Sequence, residues 1–446
     1  MSDTDKNTVK ESLKVDDKLE KSFDEALSHK LTDHDIERAQ LLIGHDYPIR
    51  QRELYTTAHP DALRNWAQGT GDDNPLFTEE DYGVNTRWGK QIGHAPQVGQ
   101  IKTPMFGDPI PKEIKAKTKS VFRGVHVFVS GGRWEWYRPL YADDRVYCFR
   151  GDDSIVEKKS EFADRSVIHT LRDVCINQHG EVIGVYRIIQ VLTERSKSRS
   201  KGKYAAIEPA QYTDEDYEKI DAIYAQEKRR GAEKRYYEDV NIGDELTPMV
   251  KGPLTVTEII AFHAGGYGFT PYGLKSSRLG YQNRKRIAPF YLKNENGVWD
   301  VAQRLHWDSQ WAKAIGNPMA YDYGVMRQAW LYHMISDWMG DDGFVETMDD
   351  SIRKFNYMGD SQFLNGKVVG KRIENGRYLV ELELNMTNQR DVETAYASAT
   401  VSLPSREAGL SPLPPVPLDI QIKANNMFAR HVELKAENQK KLALGE

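Results

Sequence analysis

At 446 residues, 39% hydrophobic and 28% charged, the chain is too long for one ordinary domain and too rich in core-forming residues to be disordered or fibrous. A formal net charge of -5 argues against general nucleic-acid binding, which is driven by lysine and arginine neutralising phosphates. No apolar run approaches the roughly 20 residues of a membrane helix, and the start MSDTDKNTVKESLKVDDK lacks the apolar core and cleavage site of a signal peptide, so a cytoplasmic protein without membrane contact is expected.

Residues 1–45 are charged with scattered apolar positions and predict a helical extension. A first domain is expected over 46–195. In it HPDALRNWAQGTG reads as a short amphipathic helix closed by glycine, and strand-like runs follow in VHVFVSGGRWEWYRPL, DRVYCFRG and SVIHTLRDVCINQHGEVIGVYRIIQVLT. Cys148 and Cys175 fall in these runs without metal-ligand spacing and read as buried and reduced. Residues 196–235, with TDEDYEKIDAIYAQEKRRGAEKR, form a charged helical linker. A second domain is expected over 236–405, where AYDYGVMRQAWLYHMISDWMGDDG places Met326, Trp330 and Met334 on one helical stripe before a glycine. Alternating strands come next, and 406–446 is a proline-rich extension containing SPLPPVPLDI.

Three segments recur in the same order. ALRNWAQGTGDDNP parallels EIIAFHAGGYGFTP, YADDRVYCF parallels YMGDSQFLNGKV, and VCINQHGEVIGVYRIIQVL parallels LNMTNQRDVETAYASATVSL. The expected fold class is therefore α+β: a duplicated unit in which a long helix is wrapped by a curled antiparallel sheet, two long helices in all.

These residues, with NTRWGKQIG, EDVNIGDELTP, HWDSQWAKAIGNPMAYDYG and HMISDWMGDDGF, resemble the MaoC-like hydratase/dehydratase family in its long, tandem double hot-dog form, from about Tyr47 to Ser405. The resemblance implies reversible addition of water to the 2,3-double bond of an enoyl thioester, usually on coenzyme A. It implies an acyl-CoA substrate, no metal or separate cofactor, and a homodimer. In the family a G-D-x-N-P-L-H-x-D loop supplies an aspartate and a histidine that hold water and move protons. A backbone N–H at the start of the long helix polarises the thioester carbonyl, because negative charge grows on that oxygen as water adds.

Laid on that motif, GDDNPLF supplies Asp72 as acid or base and Asn74 as its orienting neighbour, with Phe77 at the histidine position. In the second half RLHWDSQWAKAIG places His306 at the catalytic histidine and Asp308 at the second acidic position, while Phe269 stands where the aspartate should be. Gly324, in AYDYGVM, is the candidate carbonyl-polarising amide, with Tyr323 in place of the motif's histidine. The acid serving His306 is left open among Asp308, Asp300, Asp322 and, across the interface of the halves, Asp72. Arg278, Arg284, Lys285 and Arg286 are candidates for the phosphates of coenzyme A. Arg327 is expected to pair structurally with Asp322 or Asp337. Two other readings stand beside the hydro-lyase: a degenerate hot dog that binds an acyl thioester or supports a partner subunit, and a thioesterase using a carboxylate to activate water. For Asp72 and Asn74 the plain alternative is an Asx turn after a helix.

Overall fold

A computed structural model describes residues 17–26, 28–158, 165–194, 207–268 and 277–443. Its strands are β1 (Tyr47–Pro48), β2 (His126–Trp136), β3 (Tyr147–Lys158), β4 (Ser166–Ile176), β5 (Val182–Thr193), β6 (Met249–Lys251), β7 (Tyr291–Lys293), β8 (Trp299–Val301), β9 (Phe344–Ile352), β10 (Gln362–Glu374), β11 (Arg377–Asn388) and β12 (Glu393–Ser402). Ten of them form one sheet in the order β1-β3-β4-β5-β2-β9-β12-β11-β10-β6, and β7 and β8 form a separate hairpin. In each half the first long strand pairs with the fourth. The two first strands, β2 and β9, then pair antiparallel with each other, Gly132 opposite Asp350, so the halves are related by a local two-fold. This is a tandem double hot dog, α+β, as the repeat predicts.

The helices Pro60–Gly69 and Val256–Phe262, expected as equivalents, meet across that two-fold. A Cβ on Gly265 would stand 2.7 Å from the Asn65 carbonyl and one on Gly69 would stand 3.1 Å from Gly265 Cα, so only glycine permits the approach. Trp66 and Phe262 close the contact with rings 5.5 Å apart.

The halves differ in their central helix. The second half has the long helix Gly324–Met339, buried from Met326 onward and closed by Gly340 at φ 72°. The first half departs from the expectation of two long helices: its counterpart is a 3-10 turn, Ala95–Gln100, with Pro96 and Gly99 inside it. Proline and glycine are poor helix formers. A Cβ at position 99 would also sit 2.9 Å from the Trp134 ring, which stacks on Tyr186 at 3.9 Å. Cys148 and Cys175 face each other on β3 and β4, buried, their thiols hydrogen-bonded at 2.9 Å and not joined in a disulfide. The C-terminal extension holds a helix, Leu418–Ala443, that the proline-rich reading does not anticipate; Ile420 and Ala424 bury one face of it against β4 and β5.

Candidate functional site

His306 closes the 3-10 turn Ala302–His306, directly after β8. Its Nδ1 is 2.9 Å from the Tyr321 carbonyl, and its ring lies 3.8 Å from that of Tyr323, tilted by 30°. A carbonyl only accepts, so Nδ1 carries the proton and Nε2 keeps its lone pair. Among the described residues Nε2 has no hydrogen-bond partner. Burial pushes the imidazole down to about 3, and the nearby His263 and His126 push the same way, so His306 is a neutral base at pH 7.

Tyr323 is the N-cap of the long helix. Its hydroxyl is 3.0 Å from His263 Nε2, whose Nδ1 is 2.8 Å from the Gly268 carbonyl, and burial pushes His263 down to about 4. The tautomer follows: His263 donates from Nδ1 to Gly268 and accepts the Tyr323 hydroxyl proton at Nε2. The clamp holds the two tyrosines that lead into the helix. Gly324, the first helical residue, and Val325 are half-buried, and their N–H groups have no partner among the described residues; Met326 N–H is the first to bond, to the Tyr323 carbonyl at 3.0 Å. Unpaired amides at a helix start carry the positive end of the helix dipole.

None of the carboxylates near His306 in sequence is free to serve it. Asp308 caps the Ser309–Ala314 helix through the N–H groups of Gln310 and Trp311 and is paired with Arg304 at 2.6 Å. Asp300 is 3.1 Å from the same arginine. Asp322 forms a buried fork with Arg327, at 2.7 and 2.8 Å, and accepts from Asn356 at 3.0 Å, so Arg327 has the structural partner expected for it. Phe269 lies outside the described residues.

Asp72 sits elsewhere. One oxygen accepts Asn74 N–H at 2.9 Å, and Asn74 caps the following turn by accepting Leu76 N–H at 3.0 Å. The other oxygen is 2.8 Å from His94 Nε2. His333, from the long helix, brings Nε2 within 3.7 Å of Asp72, 3.6 Å of Glu227 and 3.4 Å of Asp337, while Lys251 Nζ stands 2.8 Å from its Nδ1. Burial alone would raise the Asp72 carboxyl; the charge of His333 and the His94 bond outweigh it and hold Asp72 well below the usual range. Burial pulls Lys251 down and Glu227 up. Nine residues along the long helix separate His333 from Gly324, roughly 14 Å at 1.5 Å per residue. Asp72 therefore meets the long helix about two and a half turns beyond the start where His306 packs, and no hydrogen bond or ion pair among the described residues joins the two.

Asp72, His333 and Asp337 are the one group among the described residues with ligand atoms placed to hold a metal, all within 4.8 Å of one another. Lys251 Nζ, 2.8 Å from His333 Nδ1, already brings a cationic group to this cluster, which disfavours a metal cation beside it. Lysine supplies the positive charge there instead. His94 was not among the expected site residues. The Gly-His pair of IGHAPQVGQ, at the start of the shortened first-half helix, is the signal that could have found it.

Asp350 lies on β9 two residues before Ile352, whose Cδ1 would be 2.9 Å from a Cβ at Gly324. Its carboxyl accepts from Gln328 at 2.8 Å, and its second oxygen is buried without a partner. Burial raises Asp350 to about 7. The folded group thus keeps a proton that the unfolded one loses near 4, and its contribution to stability, full at acid pH, is lost as pH rises through 7. Asp350→Asn is expected to be more stable than the parent at pH 8, by on the order of 2 kcal/mol, and no more stable at pH 4. Urea unfolding at the two pH values checks this.

Arg278, Arg284, Lys285 and Arg286 lie on the helix Ser277–Arg286, with Lys285 4.5 Å over the Tyr281 ring and Arg286 bonded to Asn283 at 3.3 Å.

Residues 42–185 match the model of the FAS1-like dehydratase domain region. A solved structure described as a MaoC-like dehydratase has a TM-score of 0.53 at 14% identity, covering 82% of this chain and 98% of its own. A MaoC domain dehydratase from Chloroflexus aurantiacus J-10-fl gives 0.47 at 9% identity over 82% and 96% of the two chains. A double-hotdog protein from Mycobacterium tuberculosis gives 0.47 at 10% over 82% and 97%. No curated protein matches the sequence.

Proposed function

We infer, for a chain that is a MaoC-like double hot dog with a FAS1-like dehydratase region, that it is a hydro-lyase adding water reversibly to a 2-enoyl thioester. The observation that carries this reading is a neutral histidine with an open Nε2, clamped onto the residues that lead into a helix start whose first amides are unpaired.

The residues divide the work as follows. The thioester carbonyl accepts from Gly324 N–H, which draws electrons toward that oxygen. His306 Nε2 takes a proton from water as its oxygen bonds to C3. The double-bond pair shifts toward C1, and the resulting enolate oxygen is held by the helix start. The imidazolium then returns the proton to C2. A single group acting first as base and then as acid completes the addition without a carboxylate, and burial, which makes the imidazolium a strong acid, favours that second step. Water and proton arrive on one face of the double bond.

Gly324→Pro tests the amide. Proline is tolerated at the first helical position, and Tyr323, at φ -94° and ψ 140°, has the backbone that a following proline requires. Gly324→Ala adds the same Cβ, 2.9 Å from Ile352 Cδ1, but keeps the N–H; relative to it the proline variant, with the helix intact, is expected to lower kcat about 10²–10³-fold.

A binding-only role is the second reading, favoured by the engaged state of Asp300, Asp308 and Asp322. Incubation with a panel of 2-enoyl-CoA thioesters separates the cases. The hydro-lyase yields 3-hydroxyacyl-CoA, a thioesterase yields free coenzyme A, and a binder leaves the thioester unchanged.

A further inference from the structure

We propose that a cleft of about 710 Å³ between the N-terminal helix and the β7–β8 hairpin is the cradle for the phosphorylated adenosine end of a coenzyme A thioester. This rests on the thioester reading above and adds where the handle of that substrate lies.

Lys30, Arg123 and Lys293 line the cleft from three separate segments; all three are exposed, and none has an ion-pair partner among the described residues. The cleft contains one carboxylate, Glu25. His29, also on its wall, is spoken for by Asp35 at 3.3 Å. On a protein of net charge -5, three unpaired cations converging on one concavity make a local field suited to phosphates. Trp299 adds the second element. It is 43% exposed and presents a ring on the cleft wall, with Lys293 Nζ 5.2 Å from its centre. Cations around a part-exposed indole suit an anion that carries a flat heterocycle, since any base can stack on an aromatic ring.

Position links the cleft to the reaction. Trp299 opens β8, and the chain runs from β8 straight into the turn that ends at His306. On the opposite wall Arg123 and Gly124 lead into His126, which lies close enough to His306 for its charge to bear on it. The walls come from the N-terminal extension and from the insertion that precedes His306. Arg278, Arg284, Lys285 and Arg286, on the helix before the hairpin, do not line this cleft.

Calorimetry of full-length protein with coenzyme A alone reads the cradle without any turnover. Arg123→Glu combined with Lys293→Glu is expected to weaken coenzyme A at least tenfold. Trp299→Ala should weaken coenzyme A while leaving tripolyphosphate unaffected. With an enoyl thioester, the double variant should raise KM for the coenzyme A form and leave both kcat and the KM of the pantetheine form unchanged. That last comparison also serves as the control for folding. Variant-sensitive coenzyme A binding with no hydration by the parent would sink the hydro-lyase and keep the cradle; coenzyme A binding equally to parent and double variant, or not at all, would overturn the cradle. A parent that takes only thioesters of an acidic carrier protein would overturn it as well.

Discussion

His306→Ala is expected to lower kcat for hydration of a 2-enoyl thioester about 10²–10⁴-fold, the range usual for loss of a positioned acid–base group. Far-UV circular dichroism should be unchanged, because the ring contributes one hydrogen bond, to the Tyr321 carbonyl, and packs at the edge of the core. Two further readouts separate a base from a packing residue. With burial holding His306 at about 3, the rate of the parent should stay level from pH 8 to pH 5, where an ordinary histidine of pKa near 6.5 would already have lost most of its activity. His306→Gln, which keeps the shape and the bond to Tyr321, should be as slow as alanine. Full hydration by either variant would remove His306 from the chemistry, and the Gly324 amide would then serve binding alone.

The local structure here was largely legible, and its assembly was not. Asp308 and Ser309 before an apolar run mark a helix start, and the N-cap is where Asp308 is found. The Gly-Asp-Asp-Asn-Pro run could be read as an Asx turn, and it is one. The stripe Met326, Trp330, Met334 foretold a buried helix. Its missing counterpart was signalled by Pro96 and Gly99, but repeat matching looks for likeness and passes over a segment one copy has lost. At the C-terminus the prolines of SPLPPVPLDI masked the helical spacing of Ile420, Ala424, Phe428 and His431 that follows them. The network around His333 was beyond reach for a different reason. Asp72, His94, Glu227, Lys251 and the pair His333 and Asp337 come from five distant segments, and no local pattern encodes charges that meet only when the sheet and both helix layers close.

That network gives the second large expected effect. Asp72→Asn should lower stability by about 3 kcal/mol while leaving kcat per folded molecule within a factor of two, because removing one partner from a buried ionic cluster leaves the others uncompensated. Asn keeps the shape and can still accept Asn74 N–H, so the turn survives. The loss falls on charge. Lys251, 8% exposed, and His333, 1% exposed, would be left with Asp337, the half-buried Glu227 and, for Lys251, Glu258. His94, wholly buried, would exchange a carboxylate for an amide at 2.8 Å. The sign follows from the low carboxyl pKa of Asp72: its contribution is present above the unfolded value near 3.9 and is lost only as pH falls through the still lower folded value, so the deficit should be complete at pH 7. Urea midpoints measured beside hydration rates decide what the first-half loop does. A variant with parental stability and a hundredfold slower rate would make Asp72 the catalytic acid and move the site along the long helix to His333. A weakened but active one makes the inherited Asp72 turn a brace for the ionic core, with the water chemistry left to His306.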